Sequence, residues 1–270
     1  MIVSLSPFHK AEIDADLIPF FEDPPTRDLV IRTVSRKLAN DQPLIQGDMV
    51  LAGQETRDKH PMAREYPVHF RKTYYPTAFH PPPEREYRHH ENAAKILELP
   101  PPIGFSRNSF RSCFIPGKPL SILTSLGVEP VERNISLARE LESTYLIGLW
   151  HMLESVFEEV QLLHQAGMAH GDLFLHNVIV SLSPIKVFLI DFEQCVEMNS
   201  LPANKTWDQV CKADEDEILK QAVFVQCALG EQSGKLAKRS RERLPDLFES
   251  QAEKFEKAMK LAATSQTPAR

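Results

Sequence analysis

The sequence lacks any Cys-x-x-Cys pair: its four cysteines, Cys113, Cys195, Cys211 and Cys227, are widely spaced. That excludes a zinc ribbon or a disulfide framework and predicts reduced thiols. It also lacks a basic excess, since 31 Lys and Arg stand against 37 Asp and Glu for a net charge of −6. Overall charge therefore gives no reason to expect nucleic-acid binding. No apolar run is long enough to span a bilayer. The first ten residues have no basic segment followed by a long apolar run, so no secretory signal is predicted and a cytoplasmic location is expected. There is no internal repeat and no low-complexity tract.

What is present is ordinary globular composition, 42% hydrophobic and 25% charged, over 270 residues. That length suffices for one large domain or two small lobes around a cleft. The most informative stretch runs from Leu162 to Gln194. Val178-Ile179-Val180 and Val187-Phe188-Leu189-Ile190 are short β-branched or aromatic runs separated by six residues, which predicts a hairpin of buried strands. Asp172 precedes the first strand and Asp191 follows the second, so the hairpin brings both carboxylates and Asn177 to one edge. Oxygen donors of this kind suit a hard cation such as Mg²⁺ bridging phosphate oxygens.

His170-Gly171-Asp172-Leu173, Asn177 and then Ile190-Asp191-Phe192-Glu193 resemble the catalytic and metal-binding loops of the protein-kinase-like superfamily. Leu163-His164-Gln165-Ala166-Gly167-Met168 resembles the end of the helix leading into that loop. The ordered context of helix ending, loop, two strands and Asp-Phe gives the sparse motif its specificity. The resemblance covers about Leu44 to Leu229 and is strong over residues 162–194. His-Gly-Asp-Leu with the following Ile-Asp-Phe is similar to the RIO kinases, the small tRNA-modification-complex kinases and the lipopolysaccharide (Kdo/heptose) kinases.

The resemblance implies an α+β, two-lobed fold with a small β-rich N-lobe and a reduced, mainly helical C-lobe. The expected divisions are an N-terminal extension at 1–43, an N-lobe at 44–117, a C-lobe at 118–263 and a disordered tail at 264–270. Residues 1–24 read as an irregular or briefly helical lead-in, and Thr26 as the cap of a helix over 27–39 with Leu29, Ile31, Val34 and Leu38 on its apolar face. Residues 44–53 fall where the superfamily has its phosphate-covering hairpin, with only Gly47 and Gly53 to let amides approach phosphates. Arg57 to Arg64 reads as an exposed turn.

Tyr66 to Tyr75 reads as a strand with Val68, Phe70 and Lys72 on one face. The resemblance makes Lys72 the phosphate-contacting lysine, with Arg71 as the alternative register, and Glu86 its partner on a helix over 84–97. Glu84 and Glu91 are the alternatives. Ser112 to Leu120 resembles the strand and hinge between lobes, where backbone groups at Phe114 and Ile115 would meet adenine. A helix over Tyr145–His164 carries Leu149, Leu153, Val156, Val160 and Leu163 as a core stripe, ended by Gly167. Leu120 to Ser143 reads as helical and polar, interrupted at Pro130. Asp214-Glu215-Asp216 opens a further helix, and the resemblance implies that Asp214 or Asp216 anchors the catalytic loop. Lys235 to Arg243 reads as a solvated basic run, and a last amphipathic helix carries Phe248, Phe255 and Met259.

The implied chemistry is phosphoryl transfer from ATP with Mg²⁺: Asp172 as base, Lys72 on the phosphates, Asn177 and Asp191 on the metal. His170 would brace the loop. Two departures stand out: Gly171 replaces an arginine that reads a phosphorylated activation loop, and Glu193 replaces the glycine after Asp-Phe. The acceptor would be a protein or a sugar hydroxyl, protein being slightly favoured. A regulatory protein partner and a non-catalytic scaffold role are further readings.

Overall fold

The computed structural model describes residues 23–39, 42–75, 81–115, 117–121, 135–182, 185–229 and 232–265. The lead-in before residue 23, Pro130 and the tail from 266 lie outside the described residues. The chain forms two units. One comprises the chain up to Gly117 together with Asp191–Cys195; the other comprises Lys118–Ile190 and Val196 onward. The five-residue segment after Ile190 thus belongs with the first unit, a departure from a C-lobe running unbroken from 118.

The first unit is built on a five-stranded sheet, β1 (Leu29–Ala39), β2 (Gln42–Leu51), β3 (Val68–Tyr74), β4 (Pro102–Ser106) and β5 (Ser109–Cys113), in the order β1-β2-β3-β5-β4. Each described pairing in it is antiparallel. The helix expected over 27–39 is instead strand β1, so these residues are an edge of the sheet rather than part of an extension on it. Four of the five residues from Val30 to Val34 are β-branched, which restricts their side-chain rotamers in a helix and suits a pleated surface. Register shifts along β1 break its alternation, which disguised the strand in the sequence. Arg57 to Arg64 is likewise not a turn. It lies in two short helices, α1 (Gln54–Lys59) and α2 (Met62–Glu65).

The two faces of this sheet differ. Gly47, Met49 and Leu51 of β2 stand opposite Lys72, Phe70 and Val68 of β3. Met49, Leu51 and Val68 form an apolar cluster against which Ile31 and Phe114 pack. The other face combines an apolar cluster of Ala52, Ala63, Ile103 and Cys113 with an ionic network. In that network Arg111 bridges to Asp28 at 2.7 Å, and Arg71 reaches Asp48 at 3.2 Å and Asp28 at 3.5 Å. Arg71 therefore faces away from Lys72, which settles the register between them. Helix α3 (Pro83–Ile96) packs on the sheet from the Lys72 side, starting on Pro83 as its first residue.

The second unit has helix α4 (Ile135–Gln165) at its centre. Leu149, Leu153, Val156, Val160 and Leu163 are all buried along it, as their spacing predicts. Gly167, at φ +77°, stands two residues beyond its end. A small sheet of β6 (Lys118–Pro119), β8 (Val178–Leu182) and β9 (Ile185–Leu189) contains the expected hairpin, and β7 (Met168–Ala169) pairs with β10 (Val196–Glu197). Helices α5 (Trp207–Leu229), α6 (Lys235–Arg243) and α7 (Pro245–Ser265) complete it. Helix α5 begins seven residues before Asp214, because Thr206 and Gln209 form a reciprocal capping box: each side chain takes the other's backbone N–H, at 3.3 and 2.9 Å. The basic run is helix α6, not a solvated segment; Leu236, Ala237 and Ser240 are buried, and Arg239 and Arg243 bind Glu215. Among the described residues no helix is long and apolar enough to cross a membrane.

Two buried histidines give the first unit a defined pH response. Arg111 can only donate, so the His69 Nε2 that it meets at 2.9 Å must carry a lone pair, and the ring is neutral. Burial, then the Arg111 charge, pull His69 down to about 3, and burial pulls His90 down to about 4, from an ordinary 6.5. Between those limits the unfolded chain binds more protons than the folded one, so stability rises with pH and is lost as pH falls below 6.5. Going from pH 7 to pH 5 should lower the unfolding free energy by about 2 kcal/mol per histidine. Urea midpoints measured across this range in wild type and His90→Gln read this out: the variant should lose its histidine's share of the fall toward pH 5.

Candidate active site

Lys72 is 6% exposed on β3, and its ammonium is ringed by carboxylates. It donates to Asp191 Oδ1 at 2.6 Å and to Glu193 Oε2 at 2.8 Å, and lies 3.3 Å from Glu86 Oε2 and 3.4 Å from Glu86 Oε1. Glu86, from the first turn of α3, is buried and also accepts the Tyr74 hydroxyl. Of the three glutamates weighed on that helix, Glu84 pairs with Arg88 and Glu91 with Lys95, both exposed. The Lys72–Glu86 pairing thus stands. Burial by itself would lower the Lys72 pKa, but Glu86, Asp191 and Glu193 outweigh it and raise it. Burial first, and then the neighbouring carboxylates against the pull of Lys72, push Glu86 up.

Asp191 reaches this cluster through an uncommon backbone state. With φ 65° it is the one non-glycine residue at positive φ among the described residues, a conformation aspartate tolerates better than most. The short helical turn that follows, Phe192–Gln194, is fixed by a fully buried Phe192 set edge-on to His90, ring centroids 5.5 Å apart. His89 Nδ1 meets the Phe192 carbonyl at 3.1 Å, and since a carbonyl only accepts, that nitrogen carries the proton. Glu86, Asp191 and Glu193 each offer an oxygen within 4.8 Å of the others, an all-oxygen donor set suited to a hard divalent cation.

The two glycines expected to cover phosphates are tightly packed. Residues 44–53 are not a hairpin: most of them lie in β2, which pairs antiparallel with β1 on one side and β3 on the other. Gly47 lies inside β2, where a Cβ would come within 2.6 Å of the Phe70 ring and 2.4 Å of Ser35 Oγ. A Cβ on Gly53 would come within 2.3 Å of the Arg27 backbone. Close packing is a sufficient reason for glycine at both. Phe114 and Ile115 follow β5.

The catalytic-loop residues belong to the second unit and are held by helix α5. Asp214 accepts the backbone N–H of His170 at 2.6 Å and of Gly171 at 2.8 Å, and meets His164 Nε2 at 3.1 Å. Asp216 instead pairs with Arg243, so Asp214 is the anchor. Gly171 sits at φ +80°, a turn that disfavours a side chain. His170 Nε2 meets the Ile190 carbonyl at 2.8 Å, a bracing contact. Asn177 donates Nδ2–H to the Asp172 carbonyl at 2.9 Å, closing the loop on itself and leaving its amide oxygen as the group a cation would meet. The Asp172 carboxylate is half-buried.

Sequence reading missed Tyr74, although it lies two residues beyond Lys72 on the same strand face, and it left Glu193 without a partner. Alternation along β3 carries the first signal; the second depends on a fold-back over more than a hundred residues.

Residues 130–210, less than half of the chain, match the model of the lipopolysaccharide kinase (Kdo/WaaP) family. No curated protein matches. Two crystal structures of the PknI kinase domain of Mycobacterium tuberculosis, one a single and one a double mutant, are similar at 16% and 14% identity, each with a TM-score of 0.47. They cover 82% and 83% of this chain, and the chain covers 82% and 96% of theirs. The matched segment contains Asp172, Asn177 and Asp191. The described residues form an α+β fold of one β-rich and one mainly helical unit.

Asp214→Asn should cost about 3 kcal/mol, because two charge-assisted backbone bonds are lost and an amide N–H₂ meets donors. Faster amide exchange at His170 and Gly171, with little change in the first unit, would mark the effect as loop anchoring.

Proposed function

We propose that the chain is an ATP- and Mg²⁺-dependent phosphotransferase that moves the γ-phosphate to an alcohol acceptor, most readily a protein Ser/Thr hydroxyl. The observation that carries this is the Lys72–Glu86–Asp191 constellation: a buried ammonium, a helix carboxylate and a loop carboxylate within bonding distance. A scaffold needs no such arrangement, and a desolvated cluster of one cation and three carboxylates is costly to keep.

In this reading Lys72 holds the α- and β-phosphates. Asp191 and Asn177 supply the oxygen donors for Mg²⁺, which when bound neutralises phosphate charge. Asp172 orients the acceptor hydroxyl and takes its proton as the oxygen bonds to phosphorus. Phe114 and Ile115 offer the backbone for adenine, Phe114 standing against the Met49–Leu51–Val68 cluster. The second acceptor reading, a sugar hydroxyl, is favoured by the match to the lipopolysaccharide kinase family over the catalytic segment.

Incubation with γ-³²P-ATP and Mg²⁺, alone and with cell lysate, tests this. Label should transfer with wild type, fall about 100-fold or more with Asp172→Asn, and vanish with Asp191→Ala. Label on protein bands supports the protein acceptor; label confined to small or lipid-linked material supports the sugar acceptor. Absence of both transfer and Mg·ATP binding would leave the scaffold reading.

A further inference from the structure

Lys72 has more counter-charges than its task requires, and they are not equivalent. Asp191 makes the shortest contact, 2.6 Å, but as a metal ligand it must loosen that hold when Mg·ATP arrives. Glu86 stands at 3.3 and 3.4 Å, beyond the usual 2.7–2.9 Å of an N⁺–H···O⁻ bond, and its Oε2 is engaged by the Tyr74 hydroxyl, which reaches Glu193 Oε2 only at 3.5 Å. Glu193 at 2.8 Å has the geometry of a full charge-assisted bond. It is buried, so water screens it little. Its backbone is pinned by the buried Phe192 next to it and by the His89 contact to the Phe192 carbonyl.

We infer that Glu193, not Glu86, is the principal positioning residue for Lys72. The inference rests on the phosphotransferase reading for its functional consequence, but the placement itself concerns the nucleotide-free protein as well. Glu193 keeps the ammonium aimed once Asp191 turns to the metal. Glu86, shared with Tyr74, ties helix α3 to β3 and contributes second. The residue that replaces glycine after Asp-Phe thereby supplies a hold on the lysine from the loop side, independent of the helix.

Two measurements test this. In urea unfolding of the nucleotide-free protein, double-mutant cycles pair Lys72→Met with Glu193→Gln and with Glu86→Gln. The coupling should be larger for Glu193; equal or larger coupling for Glu86 overturns the inference. In nucleotide titrations, Glu193→Gln should weaken Mg·ATP binding about tenfold, more than Glu86→Gln does, with Glu193→Asp recovering part of the loss. The acceptor-independent ATPase rate at saturating ATP should fall less than the affinity. Wild-type-like Mg·ATP affinity in Glu193→Gln overturns the inference. So does a weakening that disappears when ATP is titrated without Mg²⁺, since that assigns Glu193 to the metal. Failure of the wild-type protein to bind Mg·ATP at all defeats the phosphotransferase reading, while the urea cycles still decide between Glu193 and Glu86.

Discussion

The buried ammonium of Lys72 is the interaction on which the first unit depends. A lysine stripped of water is tolerable only with charge partners in bonding range, and Lys72 of β3 finds them on two other elements: α3 carries Glu86, and the Asp191–Cys195 loop carries Asp191 and Glu193. The sheet, the helix and the loop are thereby fixed to one another by a single polar centre. Apolar packing reinforces it, since Phe192 is buried against His90 of the same helix. Removing one member of such a cluster leaves the others uncompensated, which makes it a specifier of geometry more than a source of net stability.

The opposite face of the sheet solves a related problem differently. Asp28, Asp48, Arg71 and Arg111 balance in charge, and Thr33 and Gln46 complete the hydrogen bonding of Asp48. One face therefore carries a charge-neutral network, whereas the other carries an excess of negative charge around one cation. Only the second arrangement leaves an electrostatic demand for a further cation.

Much of the site was legible because its elements are local. The Asp172–Asn177 loop, the hairpin, the stripe on α4 and the face shared by Val68, Phe70 and Lys72 all follow from short-range spacing. Glu86 came from the family resemblance of Arg85-Glu86-Tyr87 rather than from spacing. What stayed hidden required either irregularity or distance. Bulges in β1 blurred its period and let a helical pattern stand in for a strand. The position of Gly47 within β2 depends on cross-strand partners Ser35 and Phe70. The choice between Asp214 and Asp216 turned on which of them Arg243 engages. The start of α5 was written locally, in Thr206 and Gln209, but the acidic triplet beyond it gave the stronger signal.

The excursion of Asp191–Cys195 carries a consequence for how this chain can be cut. The backbone passes between the two units three times, after Gly117, after Ile190 and after Cys195. No single scission separates them into complete pieces. A fragment ending at Gly117 would keep the sheet and α3 but lack Phe192, leaving a ring-sized void beside His90 and Lys72 without two of its three counter-charges. The smaller unit is thus an obligate composite: it is finished only when residues made some seventy positions later in synthesis return to it.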